Sequence, residues 1–304
     1  MSGKIEHIPN LPNEIVEAIN RGKLAVFIGA GVSRLVGCLG WDELGTKLAE
    51  RCFSDGVINY REKETLVGMK DTRKVLTICH SLLEKKGQQG VFFEEMEKSL
   101  KNNAEVLAPN IYDDIYRLHG LFVTTNIDRH FHRMFNEPNI IYKVENLNKE
   151  NIDRTNLYHL HGCISEHTTV VFTLRSYFQR YRGEQSFREF LQKIIQNYTI
   201  LFLGYGLAEF ELLEYLFHQF GKSDMKVLSH FMLMGFNSGE ERILEFEQTY
   251  YGQMGIRVLA YRKDERGYNQ LEEVLKEWGK KIGQVSNYLS TTFDDIDRLI
   301  EDGP

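Results

Sequence analysis

The chain has 304 residues, of which 42% are hydrophobic and 26% are charged, and its formal net charge is −6. This composition is ordinary for a globular protein, and the negative balance excludes a chain that binds polyanions over its whole surface. No apolar run reaches the ~18 residues of a membrane span, and the polar N-terminus does not resemble a signal peptide. The four cysteines form no Cys-x-x-Cys pair, which argues against a zinc ribbon and predicts a reducing, cytoplasmic setting.

Short apolar runs alternate with amphipathic stretches along the chain. Residues 12–21 predict a helix, 24–28 a buried strand and 41–53 a second helix. Further strands are predicted at 121–125, 140–142, 157–160, 170–173, 199–203, 229–234 and 256–261. Further helices are predicted at 111–118, 128–135, 187–196, 209–220, 240–251 and 271–282. This alternation predicts an α/β fold, a Rossmann-like and mostly parallel sheet with helices on both faces.

Residues 56–107 differ from the rest of the chain. They are rich in Glu, Lys and Leu and hold no convincing strand apart from a short apolar stretch at Val91–Phe93. We therefore predict an all-helical insertion at 56–107 within a sheet domain made of 1–55 and 108–304. Its apolar stripe must pack on another surface, and we expect that surface to be the rim of the sheet domain.

One local run of arginines, from Arg175 to Arg188, raises the question of a nucleic-acid patch. Glu184 interrupts the run. A solvated helix face is the favoured interpretation, and the sequence does not indicate nucleic-acid binding.

The first glycine-rich segment follows the strand at 24–28. Gly29, Ala30 and Gly31 permit positive φ angles and a close backbone approach, and Ser33 follows them. Backbone N–H groups exposed after a strand suit a phosphate or a ribose. The third glycine of a dinucleotide fingerprint is absent, because Arg34 occupies its place. A tight turn without a ligand explains this segment equally well.

A polar segment, Thr124–Asp128, leaves the strand at 121–125. The amide of Asn126 could grip a sugar hydroxyl or position a water, and Asp128 could accept hydrogen bonds from a second group. Capping of a following helix by either residue requires no ligand and remains the simpler alternative.

The pair His161-Gly162 follows the strand at 157–160. A histidine near neutral pKa can act as a base or a donor, and Gly162 would let a substrate approach the backbone. His159 lies two residues earlier, so on a strand both histidines would point to the same face. The spacing leaves open which of the two is functional, and no third ligand suggests a metal site.

A second glycine turn follows the strand at 199–203. It consists of Gly204, Tyr205 and Gly206, and Glu209 stands at the start of the next predicted helix. A carboxylate is favoured there by the helix dipole, so capping and ligand contact are equally good explanations for Glu209. Ligands of open α/β sheets sit at the carboxyl ends of strands, so these segments together suggest one nucleotide crevice.

In chain order, GAGVS from Gly29, TTNID from Thr124, HG at His161 and FLGYG from Phe202 resemble the sirtuin (Sir2) superfamily. Sirtuin deacylases carry two zinc-binding Cys-x-x-Cys pairs between HG and the later glycine motif. Here that interval contains only Cys163, and the Asp-Phe-Arg loop expected after the first motif is also absent. The chain thus looks like the zinc-less Sir2-like branch of bacterial anti-phage defence proteins.

This resemblance implies an NAD+ glycohydrolase that cleaves the nicotinamide–ribose bond and needs no zinc. It implies that Asn126 and His161 are the catalytic pair, and that Asp128 contacts the nicotinamide side or the ribose. The remaining contacts that it implies for NAD+ are Gly29, Ala30, Gly31 and Ser33 at the pyrophosphate and adjacent ribose, and Gly204, Tyr205, Gly206 and Glu209 towards the adenosine end.

Two other functions remain open at this stage. One is protein deacylation or ADP-ribosyl transfer, and the other is a non-catalytic module that senses NAD+ or ADP-ribose. A constitutive NADase would kill its host, so we expect control by homo-oligomer assembly or by a partner, such as a separate or fused sensor or an ATPase.

Overall fold

The computed structural model describes residues 4–100, 109–206 and 230–284, and it contains a seven-stranded parallel sheet in the order β3-β4-β2-β1-β5-β6-β7. The strands are β1 (Leu24–Ile28), β2 (Leu121–Thr124), β3 (Ile140–Ile141), β4 (Leu157–His159), β5 (Thr199–Leu203), β6 (His230–Phe236) and β7 (Ile256–Arg262). The parallel α/β architecture predicted from the sequence is thereby confirmed.

Helices flank the sheet and fill the connections. They are α1 (Asn13–Asn20), α2 (Ala30–Leu35), α3 (Trp41–Ser54), α4 (Tyr60–Val67), α5 (Thr72–Lys85), α6 (Gln89–Leu100), α7 (Ile111–Tyr116), α8 (Leu174–Phe178), α9 (Gln185–Asn197), α10 (Glu241–Gly252) and α11 (270–284). A single π-helical turn, Gln179–Gly183, joins α8 to α9. The helix predicted at 209–220 lies outside the described residues.

The central strands are buried on both faces, as parallel sheets require. Along β1, Ala25 and Phe27 belong to one apolar core, whereas Val26 and Ile28 belong to the core on the opposite face. Phe27 packs against Phe202 of β5 with ring centroids 5.5 Å apart. The short apolar runs of the sequence are therefore strands that separate two hydrophobic layers.

A third core lies within helices α3 to α6. It includes Leu48, Cys52 and Cys79, and it extends to Ile127 and Phe172, which flank the polar segments at the sheet edge. The described part of the predicted insertion is helical from α4 to α6, and Val91–Phe93 belongs to α6 instead of a strand. The division into two domains stays a prediction.

Two predicted elements are wrong. Residues 128–135 form turns and a short 3-10 helix, His132–Met134, because the Asp128 carboxylate accepts a hydrogen bond from the His130 backbone and turns the chain early. Residues 170–173 have no strand partner among the described residues, and Thr173 instead caps the N-terminus of α8.

Candidate active site

The four polar or glycine-rich segments follow four strands that are neighbours in the sheet. The relevant order is β4-β2-β1-β5, and all strand pairs in it are parallel. Their carboxyl ends therefore lie along one edge. Backbone hydrogen bonds join the segments there: Leu160 N–H donates to Thr124, and Gly29 N–H donates to Leu203.

The two glycine turns contact each other through their backbones. Gly31 N–H donates to the Gly204 carbonyl at 2.8 Å. A β-carbon on Gly31 would lie 2.7 Å from that carbonyl oxygen. Gly204 has a φ of +65°, and a β-carbon there would lie 2.5 Å from the backbone nitrogen of Val32. Both glycines are thus required by the crossing of the two turns.

The other residues of these turns are less constrained. Ala30 begins α2, and the ring of Tyr205 packs on Phe202 with centroids 5.4 Å apart. A β-carbon on Gly206 would meet no atom within 4 Å among the described residues. Glu209, the last residue predicted at this turn, lies outside the described residues.

Asn126 is buried, with 5% of its surface exposed. Its side-chain amide donates to the carbonyl of Gly29 at 3.0 Å, and its backbone N–H donates to the hydroxyl of Thr124. The amide therefore connects the end of β2 to the first glycine turn. An Asn side chain has a carbonyl oxygen as well, which can accept a hydrogen bond from a water or a hydroxyl.

Ser33 and Asp128 form the second link between these segments. The Ser33 hydroxyl donates to Asp128 Oδ2 at 2.6 Å, and Asp128 Oδ1 accepts from the backbone of His130 at 3.0 Å. Both carboxylate oxygens are therefore used within the protein. The prediction that Asp128 caps a following helix is partly right, because its carboxylate accepts a hydrogen bond from the His130 backbone. That hydrogen bond closes a turn instead of a helix.

Tyr112 of α7 completes this buried network and was not predicted from the sequence. Its hydroxyl lies 3.1 Å from the Ser33 hydroxyl, and burial raises the pKa of the phenol, opposed by hydrogen bonds with Ser33 and Asn126. Tyr112 lies within the helix predicted at 111–118, and no motif in the sequence marked it as a residue of the site.

His161 lies beyond the end of β4, with 3% of its surface exposed. Its Nε2 is 2.7 Å from the hydroxyl of Tyr181. Burial, followed by the charges of Arg180 and Arg73, lowers the pKa of His161 to about 3, against the opposing effect of a hydrogen bond that the ring donates to the Thr125 backbone. The imidazole is therefore neutral at physiological pH.

Gly162 and Arg180 shape the loop around His161. Gly162 has a φ of +78°, and a β-carbon there would lie 2.1 Å from the carbonyl oxygen of Thr169. The guanidinium of Arg180 donates to the carbonyls of Leu160 and Thr169. The solvated face predicted for the arginine run is therefore wrong at Arg180, which has 7% of its surface exposed.

His159, the alternative to His161, has a different environment. Its Nδ1 lies 2.7 Å from the Asn126 carbonyl, so Nδ1 carries the proton, and its Nε2 accepts from His132 Nε2 at 3.0 Å. Burial lowers the pKa of His159. Both ring nitrogens of His159 therefore have hydrogen-bond partners within the protein. Through Nδ1, this histidine fixes the backbone carbonyl of Asn126.

Across residues 4–100, 109–206 and 230–284, no group of three or more His, Cys, Asp and Glu side chains is arranged to hold a metal ion. All four cysteines are buried and free. In the same parts of the chain, no helix combines the length and apolar composition that a membrane crossing requires.

Comparison with known proteins adds two findings. Residues 120–259 match a family model described as SIR2-like domain, a span that contains Asn126, His161 and the second glycine turn. The chain is also 26% identical over 215 residues to the NAD(+) hydrolase ThsA of Enterococcus faecium. That similarity covers 64% of this chain and 39% of the relative, so the chain spans well under two thirds of that protein.

Proposed function

We propose, from the match of residues 120–259 to a SIR2-like domain model, that the chain hydrolyses NAD+ at the nicotinamide–ribose bond, with nicotinamide and ADP-ribose as products. The observation that carries the proposal is the meeting of Asn126, His161 and both glycine turns at one edge of the sheet. Ligands of open α/β sheets bind at this edge. The similarity to an NAD(+) hydrolase supports the choice of substrate.

Cleavage of this bond builds positive charge on the ribose, so the transition state resembles an oxocarbenium ion. We assign Asn126 to orient the attacking water on the ribose face. We assign His161, which is neutral in its buried position, to accept a proton from that water or from a ribose hydroxyl. No covalent nucleophile enters this scheme.

The remaining predicted contacts are assigned to binding. We place the pyrophosphate and its ribose against the first glycine turn, and the adenosine end against the second. Asp128 is assigned to contact the nicotinamide side or the ribose while it also holds Ser33, because each carboxylate oxygen can accept more than one hydrogen bond. The residues assigned to the first turn are Gly29, Ala30, Gly31 and Ser33, and those assigned to the second are Gly204, Tyr205, Gly206 and Glu209.

The test is NAD+ turnover by the purified chain, with products separated by chromatography. Asn126→Ala and His161→Ala should each lower kcat by about 100-fold or more, the size of effect expected from a positioned acid–base group. Asn269→Ala and His167→Ala are matched controls at exposed positions and should retain activity. Wild-type turnover in both site variants would refute the assignment.

We further propose that the protein acts in the cytoplasm in anti-phage defence and that assembly into a homo-oligomer, or with a partner, activates it. Unregulated NAD+ depletion would kill the host. Mass photometry combined with turnover across protein concentration tests this: specific activity should rise as the oligomer forms. A monomer with full activity at every concentration would contradict it.

A further inference from the structure

Tyr181 forms a buried pair with His161, which is a predicted catalytic residue. The phenol oxygen lies 2.7 Å from His161 Nε2, and 5% of the surface of Tyr181 is exposed. The contact joins residues that are 20 positions apart in the chain. No sequence motif pointed to Tyr181.

Several contacts hold the phenol in this position. It lies on the π-helical turn Gln179–Gly183, a distortion that often occurs at functional sites. The neighbouring Arg180 anchors the turn to the carbonyls of Leu160 and Thr169, on both sides of the His161-Gly162 pair. The ring of Phe187 packs edge-on against Tyr181, with centroids 5.2 Å apart.

The surroundings of the imidazole select one tautomer. A hydrogen bond with the backbone of Thr125 raises the pKa of His161, so this backbone group accepts the bond. The ring nitrogen that faces Thr125 therefore carries the hydrogen. Nε2 then has the lone pair, and Tyr181 donates to it. The other groups that face the ring are Arg73 of α5, Arg180 of the π-helical turn, and Tyr177 of α8, whose ring centroid is 5.2 Å away.

We propose that Tyr181 both positions His161 and relays its proton: the hydroxyl holds the ring in one tautomer and passes to Nε2 the proton that this nitrogen gains. Because the phenol occupies Nε2, a proton from the substrate side reaches this nitrogen in two linked transfers. The phenol O–H bond breaks as Nε2–H forms, and the phenol oxygen takes the proton released by the water or ribose hydroxyl. The kinetic half of this proposal rests on the proposed NAD+ hydrolysis.

The experiment combines NMR of ¹⁵N-histidine-labelled full-length chain with NAD+ kinetics for Tyr181→Phe. In the wild type, His161 should remain a single neutral tautomer from pH 8 to pH 4, assigned by its loss in His161→Gln. A donor to Nε2 stabilises the neutral ring, so Tyr181→Phe should mix the tautomers and raise the pKa of His161 by about one unit. Tyr261→Phe removes another buried phenol hydroxyl, on β7, and should change neither result.

For turnover, Tyr181→Phe should lower kcat by about 10- to 100-fold, leave KM within about threefold, and move the acid limb of the pH profile upward. An unchanged tautomer and pKa, or turnover at or above the wild-type level, would overturn the proposal. If the wild type hydrolyses no NAD+, the proposed function fails, whereas the NMR result still decides whether Tyr181 positions His161.

A second substitution covers the case in which Tyr181→Phe does not fold. Fluorotyrosine at position 181 preserves the shape of the ring and makes the phenol more acidic, which strengthens its hydrogen bond to Nε2. The ¹⁵N resonance of Nε2 should then shift from its wild-type position, because the stronger donor draws more on the lone pair of this nitrogen. No shift with the fluorinated phenol would count against the proposal.

Discussion

The backbone N–H of Gly31 donates a hydrogen bond to the carbonyl of Gly204 at 2.8 Å, so the two glycine turns of the candidate site lie against each other. A glycine in a nucleotide site is often explained by the ligand that approaches it. Here the protein backbone itself already occupies the space beside Gly31 and Gly204. Their absence of a side chain is therefore required for folding, whether or not NAD+ is bound.

The first prediction follows from this crossing. Gly31→Ala and Gly204→Ala should each lower the free energy of unfolding by about 2 kcal/mol or more, because the added carbon meets backbone atoms and Gly204 has a positive φ. Urea denaturation measures the change. Gly206→Ala is the matched control, with an expected change within about 0.5 kcal/mol. Equal effects at Gly206 and Gly204 would contradict the packing argument.

The second prediction concerns the buried hydrogen bond between Ser33 and Asp128. Ser33→Ala removes the hydroxyl that donates to the buried Asp128 Oδ2. The loss of this hydrogen bond should lower the free energy of unfolding by about 1–3 kcal/mol. Ser99 is also buried, but its hydroxyl has no hydrogen-bond partner among the described residues. Ser99→Ala should therefore be nearly neutral in thermal denaturation, and a larger loss there than at Ser33 would refute the prediction.

The third prediction concerns Arg180, which donates to two backbone carbonyls. Arg180→Met keeps much of the aliphatic packing but leaves both acceptors unpaired, so stability should fall by about 2–4 kcal/mol. It also removes a positive charge beside His161, so the pKa of that imidazole should rise. The exposed Arg182 provides the control, since Arg182→Met should leave the His161 titration unchanged in an NMR experiment.

The fourth prediction is a loss of stability in acid. Burial lowers the pKa of His161 and of His132 to about 3 and that of His230 to about 4. In the unfolded chain a histidine titrates near pH 6.5, so below that value the unfolded state binds protons that the folded state does not. The stabilisation is complete above about pH 6.5 and decreases as the pH falls towards 4.

Each such histidine should contribute a slope of about 1.4 kcal/mol per pH unit in this window. Urea denaturation at pH 7, 6, 5 and 4 measures the total slope. His230→Gln should reduce the slope by the share of one histidine, because His230 is completely buried. A slope that is unchanged in this variant, or a wild-type stability that is constant from pH 7 to pH 4, would be inconsistent with these buried neutral rings.

Much of the fold could be predicted from the sequence because its determinants are local. A buried parallel strand is a short apolar run, as at Leu24–Ile28 and Thr199–Leu203, and both runs form strands at those bounds. The failure at 128–135 has a local cause of another kind. Hydrophobic spacing suggested a helix there, but the Asp128 carboxylate competes for the His130 N–H and ends the regular backbone.

The sequence by itself determined the parallel α/β fold and the order of the polar segments, because apolar runs and glycine turns are patterns of residues that are adjacent in the chain. Only the tertiary structure decided the partners of those segments. Ser33 meets Asp128 across 95 positions, and His161 meets Tyr181 across 20. Such contacts leave no periodic pattern in the sequence, because they depend on which strands lie side by side in the sheet. The same physical reason explains why Tyr112, Arg180 and Tyr181 could be recognised only in the folded protein.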